Sequence, residues 1–356
     1  MPSRLVSLLI ALSACLGFCT SATAASPTSQ DFTLLGRSTE PTVQALFDPS
    51  QVAWLHTRNE LVLGTSAPDY PPFDMTASGQ DYEGYTADYA VLIGQATGLP
   101  IRVKRFATRE VAIRALIDGQ IDMLGTANGF EAGNAEIVLS RPYAIDQPVL
   151  VTREGETRTL TEGLAGLRLS MLYHYLPLDD VKAMYPKALI TSYPSYQNAI
   201  NAVAFDQADV FLGDTISTHY MINKGYLNNI RMASFGKHEA HGFSFAVHRN
   251  NPQLLAIINT ALKAVPGSER ENIAKRWSVG SDVLLTDQRL QLTKREEQWL
   301  KKHPVLSVVV NEAFARRFTG GQNPIGRRIV QRAGPRGPAV DREIVGYVAD
   351  AAYNSL

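Results

Sequence analysis

The sequence predicts an α/β fold made of two similar lobes, and three observations carry that expectation. Residues 61–150 alternate apolar strand-like runs with amphipathic helical stretches, as parallel βαβ units with helices covering a sheet do. "AIRALIDGQIDMLGT" from Ala112 is echoed 87 residues later (199 − 112) by "AINAVAFDQADVFLGD" from Ala199, as if one helix–strand unit were used twice. The 356 residues, 45% apolar and 19% charged, have ordinary globular composition and room for about two domains. The echo has a plainer alternative, chance likeness between two alanine-rich helices.

Residues 1–25 read as an export signal: Arg4, the apolar run Leu5 to Phe18, and the small-residue site Ala22-Thr23-Ala24 before Ala25. The mature chain is then periplasmic. Both cysteines, Cys15 and Cys19, fall in that signal, which leaves no thiol for a disulfide or a cysteine-ligated metal. Leu12-Ser13-Ala14-Cys15 offers a competing reading, in which Cys15 is a lipoprotein anchor. Beyond residue 25 no apolar run approaches the ~18 residues of a membrane helix. Lys+Arg and Asp+Glu balance at 34 each, so no long-range field draws nucleic acid, which is not expected as a partner.

Residues 26–60 form an arm and a linker helix. From 61 the order is strand "LVLGTS", helix "YTADYAVLIGQATGLP" closed by Gly98 and Pro100, strand "IRVKRF", helix "TREVAIRALIDGQ" capped by Thr108 and ended by Gly119, and strand "IDMLGT". The second lobe, 151–242, starts near "LRLSMLYHYL" and runs through helix "LDDVKAMYP" and strand "ALITSY" to "IRMASFG". Strand "GFSFAVH" and the long helix "PQLLAIINTALKAV", with Pro252 at its start and Gly267 after its end, return to complete the first lobe over 243–278. Residues 279–304 are a second linker helix, and 305–356 a partial module. "WLHTRNELVLG" at Trp54 and "WLKKHPVLSVV" at Trp299, 245 residues apart (299 − 54), suggest that the same kind of entry is made twice.

The stretches "GTSAPDYPPFD", "YEGYTADYAVLIGQATG", "LSRPYAIDQPVLV", "QADVFLGD", "GFSFAVHRNNPQLLAIINTAL" and "IAKRWS" follow one another in an order that resembles bacterial family 3 extracellular solute-binding proteins. Over about residues 50–278 the pattern is most similar to the Venus-flytrap sensory domains of BvgS/EvgS-type sensor histidine kinases. The resemblance implies a periplasmic-binding-protein-like two-lobe Venus flytrap with two hinge crossovers, at "QPVLVTR" (147–153) and "GFSFAVH" (242–248). It also implies a module that senses a solute by lobe closure and has no catalytic residues and no cofactor. In such sensors a helix with a Trp-Leu pair precedes each flytrap, which accounts for Trp54 and Trp299. Rival readings are the binding protein of an amino-acid ABC importer, a periplasmic dehydratase of cyclic acids, and a permease fragment. The implied partners are an amino-acid-like ligand or small organic acid, a membrane sensor kinase or ABC permease, and a second copy of the chain in a homodimer.

A zwitterionic ligand needs an anion for its ammonium and a cation for its carboxylate, both desolvated. The family's ammonium acceptor falls on Asp214, which also reads as a helix cap. Its carboxylate-binding arginine falls on Gly133, so Gly133→Arg should improve amino-acid affinity if that lost clamp explains the altered pocket. The first-lobe donors fall in the Thr126 and Asn128 segment, and the second-lobe anion nest on His174-Tyr175-Leu176, where His174 and Tyr175 offer side chains. Tyr70, Phe73 and Tyr85 line the first lobe, with Phe73 also reading as core.

No Gly-x-Ser-x-Gly elbow or triad spacing is found. His238 and His241 of "HEAH", with His248 beyond, imitate a metal pair ahead of a strand and read as an exposed connector, and "GQNPIGRR" from Gly321 lacks the Lys-Ser/Thr of a phosphate loop. "VVVNEAFARRFTGGQNPIGRRI" and "REIVGYVADAAYNSL" resemble the extracytoplasmic domain of MacB-type ABC transporter permeases. Either two genes were joined near residue 305, or a second flytrap is truncated there. Residues 316–356 carry seven Arg against three acidic residues, and with few strand-like runs they are expected to be loosely ordered.

Overall fold

The computed structural model describes residues 29–38, 43–76, 79–160, 163–225, 227–237 and 242–278, and in the C-terminal part 305–311, 323, 325, 327–331 and 340–348. The export signal with Cys15 and Cys19, the linker helix expected at 279–304 with Trp299, and His238 and His241 lie outside the described residues. Two compact units divide the chain, Met1–Asp287 and Gln288–Leu356.

In the first unit a strand β1 (Ser29–Leu34) and a helix α1 (Pro49–Leu55) precede β2 (Leu61–Ser66). Then come β3 (Asp81–Tyr82), α2 (Tyr85–Thr97), β4 (Ile101–Phe106), α3 (Arg109–Ile117), β5 (Met123–Ala127), α4 (Gly129–Ala132) and β6 (Ile137–Leu139). The second lobe holds β7 (Pro148–Arg153), β8 (Arg168–Leu172), α5 (Leu178–Met184), β9 (Leu189–Tyr193), α6 (Tyr196–Ala204), β10 (Val210–Asp214), α7 (Thr215–Lys224) and β11 (Ile230–Phe235). β12 (Ser244–His248), α8 (Pro252–Ala264) and α9 (Gly267–Trp277) return to the first lobe.

Two separate sheets result, ordered β3-β1-β4-β2-β5-β12-β6 and β11-β7-β10-β8-β9. In each, the strands joined by helices are parallel, β4-β2-β5 in one and β9-β8-β10 in the other, because a helical crossover brings the chain back in the same direction. Successive residues of the first sheet point to opposite faces: Leu61, Leu63 and Met123 feed the larger core under α2 and α8, while Val62 and Leu124 feed a smaller one with Ala112, Ala115 and Leu116 of α3. The arm joins this sheet, since β1 pairs antiparallel with β4 and covers an otherwise bare edge.

The echo at an offset of 87 is a repeated piece of architecture. Thr108 and Ser195 are the side-chain caps of α3 and α6, accepting from the amides of Val111 and Asn198. Gly119 and Asp206 both take positive φ, 72° and 59°, at the turn out of the helix. The next residues donate five back, Gln120 N to Ala115 O and Gln207 N to Ala202 O. Asp122 and Asp209 then accept the amides of Val62 and Arg168, each at 2.8 Å, and pair with Arg58 and with Arg158 and Arg168. One local code of cap, turn and carboxylate latch therefore fixes the start of a central strand, β2 or β8, in each sheet.

The crossovers differ from those expected. β7 pairs only within the second sheet and β12 only within the first, so neither strand is shared. The chain changes lobe just before each of them, and the Ala144↔Phe243 bridge ties the two passages together.

In the second unit β13 (Val305–Asn311) and β14 (Arg328–Gln331) flank β15 (Val340–Val348) in a three-stranded sheet. β13 is parallel and β14 antiparallel to β15. This corrects the expectation of a loosely ordered tail for those residues: their β-branched runs "VLSVVV" and "REIVGYV" supply strands despite the surrounding arginines.

Candidate ligand-binding cleft

The cleft side of the first lobe is built by the loop from Ala67 to Thr76 and by the starts of α2 and α3. Asp69 holds the loop, accepting from Thr76 N and Oγ1 at 2.8 Å each and from Arg105 Nη2 at 2.6 Å. Gly84 fixes the other side: at φ 130° it lets Tyr85 N and Thr86 N donate to Pro72 O and Phe73 O, and a Cβ there would lie 2.2 Å from Phe73 O. Tyr70 is thereby projected into the second lobe. Its hydroxyl donates to Asp214 Oδ2 at 2.9 Å, and its ring lies 5.1 Å from Tyr196, 5.9 Å from Phe73 and Phe243, and 6.0 Å from His174.

The lobes meet elsewhere as well. Arg109 N donates to Tyr173 Oη at 3.2 Å, Tyr173 donates to Glu110 Oε2 at 3.1 Å, and Phe130 packs edge-on to Tyr173 and His174. The larger apolar core runs through Tyr70, Phe73 and Phe243 into Tyr175 and Tyr196. The flytrap is closed on its own side chains.

All eight residues singled out by sequence are buried, none more than 8% exposed. Tyr70, Phe73, His174 and Asp214 share the cage just described. Tyr85 sits a layer deeper, 5.3 Å from Phe73 and 5.7 Å from Tyr89. Thr126, the penultimate residue of β5, takes φ 52°, strained for a β-branched residue, and is held by Thr86 Oγ1 at 2.7 Å and by its amide donating to Tyr143 Oη at 3.1 Å. Asn128 caps α4 through Oδ1, and its Nδ2 is buried without a partner. Tyr175 lies at the hinge, its hydroxyl donating to Asp146 Oδ1 at 2.7 Å. Asp214 does both jobs open to it in the sequence: Oδ1 caps α7 by accepting from Ser217 N at 2.7 Å while Oδ2 faces the other lobe.

Gly133 is exposed at the end of α4, and the buried cation comes instead from Arg109, which the sequence reading passed over. Arg109 Nε donates to Glu131 Oε1 at 2.7 Å and Nη2 to the carbonyls of Gly125 and Thr126 at 2.9 and 3.1 Å. The signal was present. Arg109 and Tyr196 follow the two equivalent caps, 87 residues apart, and each reaches back to the end of the next strand, Tyr196 donating to Asp214 O at 3.0 Å. Asp146 was missed because no periodic element contains it.

Burial dominates the electrostatics. It pushes Asp146 and Asp214 well above the usual carboxylate range, Asp146 further by repulsion from Asp214. Burial, with help from Arg109, holds His174 neutral, its pKa lowered to about 3. Among the described residues no cluster of three or more His, Cys, Asp or Glu could hold a metal ion; His248 Nδ1 accepts from Asn250 N at 3.0 Å. No described helix is long and apolar enough to cross a membrane.

Two lobes on two sheets, joined by paired crossovers and meeting at a polar aromatic cleft, define a Venus flytrap of the periplasmic-binding-protein class. Residues 61–280 match the bacterial extracellular solute-binding proteins, family 3, and the chain belongs to that family. It is 41% identical over 287 residues to the virulence sensor protein BvgS of Bordetella bronchiseptica, covering 81% of this chain and 23% of that protein. The sensor protein EvgS of Escherichia coli O157:H7 is 24% identical over 262 residues, 73% of this chain and 22% of EvgS. The chain thus spans about a quarter of the length of these relatives. The crystal structure of the B. pertussis BvgS periplasmic domain superposes with a TM-score of 0.65 at 40% identity, covering 80% of this chain and 56% of that one. The family match ends at residue 280, and these similarities lend no support to the permease likeness of the tail.

Proposed function

We propose that residues 29–278 are the periplasmic solute-sensing flytrap of a two-component sensor, exported by the signal at 1–25 and working with a membrane kinase. The similarity to two named sensors supports this reading, and one geometric observation carries its mechanism: Tyr70 of the first lobe bonds Asp214 of the second, so the closed state is held by the protein's own side chains. A solute then acts by its differential affinity for closed and open lobes, shifting a population that is already biased. Binding rather than turnover is favoured because both oxygens of Asp214, the acid a dehydratase would use, are engaged.

A hybrid sensor tests this. With residues 29–278 replacing the matching segment of the Bordetella protein, kinase-dependent reporter output should change when Tyr70→Phe or Asp214→Ala loosens the closure. Identical output from all three hybrids would remove the proposal.

A further inference from the structure

We propose that the cage around Tyr70 is a hydroxyarene site: the solute it takes is an aromatic ring bearing one hydrogen-bond donor, which enters by displacing the Tyr70 side chain. The proposal rests on the flytrap reading above and narrows it to a ligand class.

The argument starts from what the cage holds. Tyr196 is tilted against the Tyr70 ring, with 31° between the planes and 5.1 Å between centroids, while Phe73, His174 and Phe243 meet it at 61° to 84°. One tilted ring walled by three edge-on rings is an arrangement aromatic quadrupoles accept, and it fits a flat ring better than an aliphatic chain. At the far end Asp214 Oδ2 accepts one hydrogen bond from the Tyr70 hydroxyl, and its other oxygen is already used inside its own lobe. A carboxylate-bearing ligand finds an unsuitable partner there, since Asp214 is an acceptor, His174 is neutral, and the guanidinium of Arg109 is engaged by Glu131 and two carbonyls. The groups left to recognise a guest are one apolar slot and one acceptor, which a phenol satisfies.

Displacement is also mechanically open. The loop is pinned on either side of Tyr70, at Asp69 and at the Phe73 carbonyl, while among the described residues the only hydrogen bond of the Tyr70 side chain is the one to Asp214. The phenol can swing out while the backbone anchors stay.

Tyr70→Ala empties the slot, and 4-methylphenol is the probe, with toluene as the same shape lacking the donor. 4-Methylphenol should raise the Tm of Tyr70→Ala saturably, by about 3 °C or more, and toluene by less than half of that. Wild-type protein, whose own phenol competes, should need at least tenfold more of the probe. Adding Asp214→Asn to Tyr70→Ala should erase the preference for 4-methylphenol over toluene. Equal shifts from both probes, or none, overturn the proposal. If Tyr70→Ala does not fold unaided, refolding with 4-methylphenol should recover soluble protein where toluene does not, and failure there overturns it equally. Solution scattering separates the two readings. An unliganded Tyr70→Ala protein no wider than wild type contradicts the closure itself, whereas a wider one that 4-methylphenol leaves open contradicts only the ligand class.

Discussion

The Tyr70 hydroxyl and the Asp214 carboxylate, 144 residues apart in sequence, are joined at 2.9 Å across the two lobes. Because Ser217 N holds the other carboxylate oxygen, Asp214 cannot turn away to find a new donor. Tyr70→Phe keeps the ring contacts and leaves one buried acceptor unpaired. It should lower stability by about 1–3 kcal/mol in urea denaturation.

Asp146 and Asp214 make closure pH-dependent. Burial raises both pKa values in the folded protein, so the closed form carries protons that an open or unfolded one releases. A raised pKa means that the stability is fully present below the ordinary value near 4 and is lost as pH climbs through the folded values. The Tm should therefore fall as pH rises from about 5 to 8. Asp146→Asn should flatten that slope. Asp209, held low first by the Arg168 hydrogen bond, acts oppositely and only at acid pH, so the two trends separate in a pH-resolved melt.

Asp122 and Asp209 perform the same latch in different lobes. Replacing either by Asn weakens a charge-assisted bond to a strand amide and should cost about 1.5–3 kcal/mol. Since the two latches share no partner, the double variant should add to within about 0.5 kcal/mol in denaturant titration. A clear excess or shortfall would mean that the lobes do not unfold as one unit.

Asp88 gathers three segments: its Oδ1 accepts the Arg37 amide at 2.5 Å, and its Oδ2 accepts from Arg276 Nη1 at 2.6 Å and Trp277 Nε1 at 2.8 Å. Asp88→Asn removes the charge from a fully buried carboxylate whose partner Arg276 is 21% exposed, and should destabilise the protein by about 3 kcal/mol. Hydrogen exchange at Arg37 and a shift in Trp277 fluorescence would report the loosening locally.

Much of the architecture was readable because it is periodic. The α2 stretch shows its glycine stop and α3 its Thr108 cap and glycine stop in sequence, and the 87-residue echo foretold paired helix–strand units, though not that Ser195 caps α6 as Thr108 caps α3. The cleft was read less completely, for a physical reason. Arg109 and Tyr196 matter through long-range contacts that no local pattern reveals, and Asp146 lies in an aperiodic passage between sheets. Gly133 marks the same limit. The resemblance put the clamp there, yet Gly133 is exposed and a Cβ there meets only Phe130 O at 3.5 Å, while the buried Arg109 is engaged by Glu131 and two carbonyls. Gly133→Arg should now fold normally and gain no amino-acid affinity by calorimetry, because the ammonium seat on Asp214 remains taken.

The meeting of Arg37 and Trp277 on one helix of the first lobe has a mechanical corollary. Within residues 29–278 the chain enters and leaves through the same lobe, and the other lobe is joined to it along the chain by two short passages. The suspended half is the pendulum and the attached half the mount. Both ends of residues 29–278 therefore lie on the mount, where Asp88 clasps Arg37 and Trp277.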